Sequence, residues 1–457
     1  MVPTELGDAR TLTGVRASAA ALCDEDYPPV DGDYQNRTYF QPVALAGVLA
    51  AWRRTARLIV SGRVPGDVGL YIHWPFCPTP CAYCYCDRRA GADAAERRRG
   101  LDALLLELRT FAPVLRGVVF SQVQLYGGTP TDLGAAGLDR LFAEVRASFA
   151  LRPDASLCVE TSAATLDESV ARSLVNNGVT RVDIGVDSLD AAVLARERRG
   201  QDERSADGAL RLLLQIPGLD VGVALLFGLE GQTSASFVRD LGWVLRRRPR
   251  RILVYGFDPR PQTAFARSGA ALDAPARERI ARTVLATRPV LEAAGYRADE
   301  SGWRPTSSLL GVGWSAMSRA FGSLWYQHPP LDGRPVADGA IPPFLGMSSS
   351  MAEEMRGYVV RGLFAGGRAD AAGFRAAFAR DMTAAPAVSR PARALERAGL
   401  ARFDDDGLEL TAATPALRAR ARSFFYSPSV RRALASRGAA GFASSGAPCL
   451  SYSRGDS

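Results

Sequence analysis

The chain contains no lysine: every one of the 56 basic residues among its 457 positions is arginine. That excludes a Schiff-base lysine, a lysine nucleophile and the phosphate-binding lysine of a P-loop. Histidine is almost as scarce. With only His73 and His328 the chain cannot build a histidine-rich metal site, and acid–base work falls to Asp, Glu, Tyr or Cys. No run of about eighteen apolar residues occurs, so no membrane association is expected. The first thirty residues include Asp8, Arg10, Asp24, Glu25 and Asp26 without a clean apolar core; no secretory signal is legible, and the expected location is cytoplasmic. The formal charge of +8 is spread along the chain. Local runs such as Arg97-Arg98-Arg99 read as solvated helix faces, so no nucleic-acid partner is expected.

Against these absences stands a cluster of cysteines. Of seven, Cys77, Cys81, Cys84 and Cys86 fall within ten residues, in Tyr71-Ile-His-Trp-Pro-Phe-Cys-Pro-Thr-Pro-Cys-Ala-Tyr-Cys-Tyr-Cys86. In a chain without a legible signal, such clustering reads as metal binding in a reducing compartment, not as a disulfide framework. Thiolates at Cys-x3-Cys-x2-Cys spacing can hold three irons of a [4Fe–4S] cube and leave the fourth iron open to a substrate or cofactor. Other readings compete. A structural zinc site would use all four thiols, but such sites usually pair two knuckles far apart in sequence. A redox pair would use Cys81 and Cys84 and leave Cys77 idle, and inert buried cysteines fit poorly beside Pro78 and Pro80. Pro75, Pro78 and Pro80 keep the loop out of helix, so the thiolates can converge.

The flanking sequence alternates. Apolar runs at Val68–His73, Val118–Tyr126, Ser156–Glu160, Arg181–Val186, Asp220–Phe227 and Arg251–Phe257 predict buried strands, and helix-period segments lie near 93–114, 132–149, 165–178, 204–216, 234–247 and 275–294. Six β-then-α units predict an α/β fold with a parallel sheet, a partial (β/α)6 barrel rather than a closed eight-fold one. Chemistry on such sheets sits at the carboxyl ends of the strands, where the cysteine loop falls. The expected organisation is an N-terminal extension over 1–64, a core over 65–300, a mostly helical, winged-helix-like C-terminal domain over 301–436 and a flexible tail over 437–457.

The cysteine string, with its aromatic Tyr83 before the third ligand, resembles the signature of the radical S-adenosylmethionine (SAM) superfamily. Tyr71-Ile-His-Trp-Pro-Phe-Cys77 together with Cys86 is similar to the HemN-like branch, that of oxygen-independent coproporphyrinogen III oxidase. So, in order, are Tyr126-Gly-Gly-Thr-Pro-Thr131, Arg181-Val-Asp-Ile-Gly-Val186, Phe227-Gly-Leu-Glu-Gly-Gln-Thr233 and Leu310-Gly-Val-Gly-Trp-Ser-Ala-Met-Ser318.

The resemblance implies that Cys77, Cys81 and Cys84 ligate the cluster. It implies that SAM cleaved there yields a 5′-deoxyadenosyl radical. Tyr83 would contact the adenine, Gly128 and Thr129 the methionine moiety, and Arg199 the SAM carboxylate; the alternative for Arg199 is a solvated helix charge. Tyr71, Gly127, Glu160 and Met317 match positions linked to a second SAM. Asp187 and Asp258 also match SAM positions, but Asp187 stands where the porphyrinogen enzymes carry Gln, and Ala224 and Glu230 depart as well. Cys86 is a candidate catalytic thiol. Trp325, Tyr326 and His328 are candidates for a substrate pocket, with ordinary packing as the alternative. The leading expectation is an enzyme using two SAM molecules for C-methylation or cyclopropanation of a small molecule, with electrons from a flavodoxin- or ferredoxin-like protein. Alternatives are oxidative decarboxylation of coproporphyrinogen III, a one-SAM dehydration or deoxygenation, and haem trafficking.

Overall fold

A two-residue period writes the strands. In Val68–Trp74 the side chains of Val68, Leu70, Ile72 and Trp74 are fully buried on one face, while Tyr71 and His73 lie on the other. The period repeats in Val119–Gly127, Ala150–Ser162 and Arg181–Asp187, where Val123, Leu125, Val159, Val182 and Ile184 are buried on the apolar side. The opposite face is unusually polar: Gln122, Gln124, Tyr126, Glu160, Arg181 and Asp183 alternate with those apolar residues.

The computed structural model describes residues 40–261, 263–298, 307–331, 339–411, 421–435 and 449–454. They divide into two units: a larger one drawn from 67–318, 327–343 and 445–457, and a smaller one drawn from 1–66, 319–326 and 344–444.

In the larger unit the strands follow the order Ser308–Val312, Val68–Trp74, Val119–Gly127, Ala150–Ser162, Arg181–Asp187, Asp220–Phe227, Arg251–Gly256, Cys449–Ser453 and Arg297–Ala298. The first seven are mutually parallel. Helices Ala94–Phe111, Gly134–Ser148, Glu168–Asn176, Glu203–Leu214, Ser234–Arg247 and Ala274–Leu285 supply the crossovers. Most begin at a side chain that accepts a backbone N–H of the first turn: Asp93, Asp167, Asp202, Thr233 and Asp273. Each such cap contributes about 1 kcal/mol. This is the α/β fold with a parallel sheet that the alternation predicts.

Four details differ from the sequence reading. A seventh parallel strand, Ser308–Val312, pairs with Val68–Trp74, from a stretch too rich in Gly, Pro and Trp to show a period. The helix expected over 275–294 breaks into Ala274–Leu285 and Thr287–Ala293. The end of the chain is not simply a flexible tail: Cys449–Ser453 is a strand, antiparallel to Arg251–Gly256, with Tyr452 1% exposed. It satisfies backbone groups that an edge strand would otherwise leave open. Residues 436–448 and 455–457, like 1–39 of the expected N-terminal extension, lie outside the described residues. Finally, residues 40–66 group with the smaller unit, whereas 307–318 group with the larger one.

The smaller unit has its own core. Helices Met351–Gly366, Ala371–Phe378 and Pro386–Arg397 enclose Val359, Leu363, Phe374, Val388 and Leu395. A three-stranded antiparallel sheet, ordered Arg368–Asp370, Gly407–Leu410, Ala401–Asp404, completes it. Strand Gln41–Val43 pairs antiparallel with Phe344–Ser348. The fully buried Glu354 accepts from Ser349 Oγ at 2.7 Å and Trp325 Nε1 at 3.0 Å and pairs with Arg319.

Candidate functional site

Strand Val68–Trp74 delivers the chain into the cysteine loop. Phe76–Cys77 pairs in parallel with Arg89–Ala90, so the loop closes on itself. The neighbouring strand end braces it: Gly128 N donates to Trp74 O at 2.6 Å and Thr129 N to Phe76 O at 2.8 Å. A Cβ on Gly128 would sit 2.4 Å from Phe76 O, and Gly127 holds φ +123° against Trp74 O. Glycine is required at both. The far side of the loop is clamped by the turn after helix Ala191–Arg196. Ala82 N donates to Glu197 O at 2.9 Å, and Arg199 Nη1 donates to Cys81 Sγ at 3.7 Å.

Cys77 and Cys81 are buried, Cys84 and Cys86 partly so, and none is in a disulfide. Cys77 Sγ and Thr129 Oγ1 share a hydrogen bond at 3.3 Å. Burial pushes the Cys77 thiol up to about 11, with Thr129 opposing, so metal binding must displace its proton. Cys84 and Cys86 hydrogen-bond each other, which pulls the Cys84 thiol down, helped by Arg88, and pushes Cys86 up. Among the described residues no three His, Cys, Asp or Glu side chains converge tightly enough to hold one ion. With polar partners already on the sulfurs of Cys77 and Cys81, and glycines bracing the loop, the residues fit a [4Fe–4S] cluster.

The predicted contact residues fall into two groups. Around Cys81, Tyr83 OH donates to Asp187 Oδ2 at 2.5 Å, and Arg199 pairs with the same oxygen at 3.1 Å. Arg199 is 16% exposed and sits in a turn, so it is not a solvated helix charge. Asp258 pairs with Arg260 at 2.7 Å. On the Tyr71 side, Tyr71 OH donates to His73 Nδ1 at 3.0 Å, and His73 Nε2 donates to Asp87 O at 2.9 Å. Burial holds His73 below its ordinary value, and it stays neutral. Tyr71 is in register with Gly311, against whose Cα Met317 O packs. Glu160 accepts from Gly127 N and is in register with Asp183. Burial pushes the Glu160 carboxyl up to about 8, with repulsion from Asp183 adding to the effect. Cys86 hydrogen-bonds Cys84 and lies close enough to Glu160 for that carboxyl to help push its thiol up.

His328, a pocket candidate, is instead fully buried in an ion pair with Glu107. Trp325 donates to Glu354, and Tyr326 accepts from Trp52 Nε1 at 2.7 Å; both serve packing in the smaller unit. The sequence reading missed three residues around the loop. Arg88 donates to the carbonyls of Cys84 and Cys81. Asp87 Oδ2 accepts from Ser315 Oγ at 2.6 Å and Leu331 N at 2.8 Å. Asp183, on the polar face, pairs with Arg181 at 2.7 Å and accepts from Tyr126 OH at 3.3 Å. Its only available signal was the Arg-x-Asp alternation, which puts both on one strand face.

Comparison with known proteins agrees with this geometry. Residues 71–244 match the family model of the radical SAM superfamily. That superfamily implies a [4Fe–4S] cluster and SAM. Oxygen-independent coproporphyrinogen III oxidase of Escherichia coli (strain K12) is 31% identical over 199 residues, 44% of this chain and 43% of the relative. The protein of that name from Bradyrhizobium diazoefficiens is 29% identical over 290 residues, 62% of each. The chain thus spans less than two thirds of these curated relatives. Among solved structures, coproporphyrinogen III oxidase (HemN) of Escherichia coli, described as a radical SAM enzyme, is similar in fold. The TM-score is 0.65 at 23% identity, over 85% of this chain and 95% of that one. These similarities point to the HemN-like branch of the superfamily. No helix among the described residues is long and apolar enough to cross a membrane.

Proposed function

We propose that this protein is a radical SAM enzyme with places for two SAM molecules, acting on a small molecule by C-methylation or cyclopropanation. The observation that carries the reading is the division of the contact residues. Tyr83, Asp187 and Arg199 gather at Cys81, while Tyr71, Gly127, Glu160 and Met317 lie on or beside adjoining strands. When bound, the cluster and its SAM supply, with one electron from a flavodoxin- or ferredoxin-like donor, a 5′-deoxyadenosyl radical and methionine. Cys77, Cys81 and Cys84 hold the cluster. Gly128 lets the neighbouring strand end pack directly against the loop, and Tyr71, kept in place by His73, offers its phenol oxygen on the polar face. Glu160, protonated near neutral pH, can donate a hydrogen bond there.

The relatives' names favour a second reading, oxidative decarboxylation of coproporphyrinogen III. Anaerobic reconstitution and mass analysis of the SAM-derived products separate the two. The expected result is 5′-deoxyadenosine together with S-adenosylhomocysteine. Carbon dioxide release without S-adenosylhomocysteine would establish the second reading instead.

A further inference from the structure

Asp187 is one of five described non-glycine residues with positive φ, at +63°. The left-handed region costs an L-residue about 1 kcal/mol or more, and Asp is among the residues that tolerate it best. It coincides with a register shift between Gly185 and Asp187 at the end of strand Arg181–Asp187. The carboxylate contacts two residues bound up with the cysteine loop: Tyr83, two positions after Cys81, and Arg199. The Arg199 guanidinium is thereby shared. Nη1 donates to Cys81 Sγ at 3.7 Å, and Nη2 donates to Gly185 O at 2.5 Å while pairing with Asp187 at 3.1 Å. Gly185 leaves room for this arrangement, because a Cβ there would meet Arg199 Nη2 at 2.9 Å and push the guanidinium aside. The turn holding Arg199 is fixed independently, by Ala82 N on Glu197 O and by Gly200 against Thr79.

A buried cation on a ligand sulfur is a lever on a cluster's reduction potential, since hydrogen bonds and local charge at the sulfurs set it. The carboxylate 3.1 Å away opposes that lever. We infer that Asp187 is a positioning residue that holds Arg199 on Cys81 Sγ while offsetting its charge, and so sets the potential at which the cluster takes its electron. This rests on the proposed radical SAM reading. It also means that the Arg199 edge expected to receive a SAM carboxylate is already engaged by Asp187.

The test is the midpoint potential of the reconstituted full chain, read by electron paramagnetic resonance in a redox titration. Asp187→Asn keeps an acceptor for Tyr83 and removes the opposing charge. The expected result is a rise corresponding to about tenfold more reduced cluster at a fixed potential, about 59 mV for one electron. Arg199→Gln removes the cation, and its potential is expected to fall. Opposite signs are the signature, because mere loosening of the loop would move both variants the same way. Should Asp187→Asn not retain iron, Asp187→Gln carries the same charge change and reads the same shift. Equal potentials in wild type and the Asp187 variant, or shifts of one sign in both variants, overturn the inference. A wild-type chain that binds no [4Fe–4S] cluster would instead refute the radical SAM reading.

Discussion

Glu160→Gln puts a number on the polar face of the sheet. The Glu160 carboxyl titrates near about 8 in the folded chain against an ordinary 4.5, a displacement of 8 − 4.5 = 3.5. At about 1.36 kcal/mol per unit, this is a ceiling of about 5 kcal/mol. Glu160 keeps part of its surface exposed, so solvent screening will bring the measured value below that ceiling. The sign follows from linkage. Between the two values the folded chain holds a proton that the unfolded chain releases. The contribution is complete below about pH 4.5, is lost progressively as pH rises, and is gone above about pH 8. Glutamine does not titrate, and its carbonyl can still accept from Gly127 N. The stability of the variant minus that of wild type is therefore expected to grow by up to about 5 kcal/mol from about pH 5 to about pH 8. Anaerobic urea denaturation of the metal-free chain across this window, followed by tryptophan fluorescence, measures the difference. A difference that stays flat with pH would mean that Glu160 ionises normally and that desolvation beside Asp183 has been misjudged.

Other outcomes follow from equally local geometry. His328 Nε2 lies 2.6 Å from Glu107 Oε1 and its Nδ1 donates to Pro343 O, so both nitrogens carry protons. Burial works against that cation, but Glu107 outweighs it and raises His328 above its ordinary value. Glu107→Gln is expected to cost about 3–5 kcal/mol by denaturation, as for a broken buried pair. The pair's contribution should be full below about pH 6.5 and fade as pH rises through the higher folded value of His328. An additive double-mutant cycle with His328→Gln would count against a real ion pair. Gly128→Ala, which drives a Cβ against Phe76 O, should lose about 1–3 kcal/mol and most of its iron on reconstitution. Gly208→Ala, with open space around it in helix Glu203–Leu214, should gain up to about 1 kcal/mol. Equal melting temperatures for the two alanine variants would show that the strand-end glycine is not a steric requirement.

Local sequence carried a good deal of this protein. The two-residue apolar period marks the strands because one sheet face must be dry, and the Asp and Thr caps mark helix starts because orphan N–H groups need acceptors. The cysteine spacing points to an open cluster because three thiolates and an open iron need few other residues. Tertiary structure decided what depends on groups distant in the chain. Cys449–Ser453 is a strand only because Arg251–Gly256 offers it an edge, and the short alternation Cys-Leu-Ser-Tyr-Ser is too brief to say so alone. His328 became an ion-pair partner because Glu107, 221 positions away, is buried beside it. Arg199 reads in sequence as a partner for a SAM carboxylate or as a solvated helix charge, but folding sets it between Cys81 and Asp187, where burial makes each charge answer to its neighbours. Periodicity reports which face of an element is dry; the partner of a buried charge is fixed only when the chain closes.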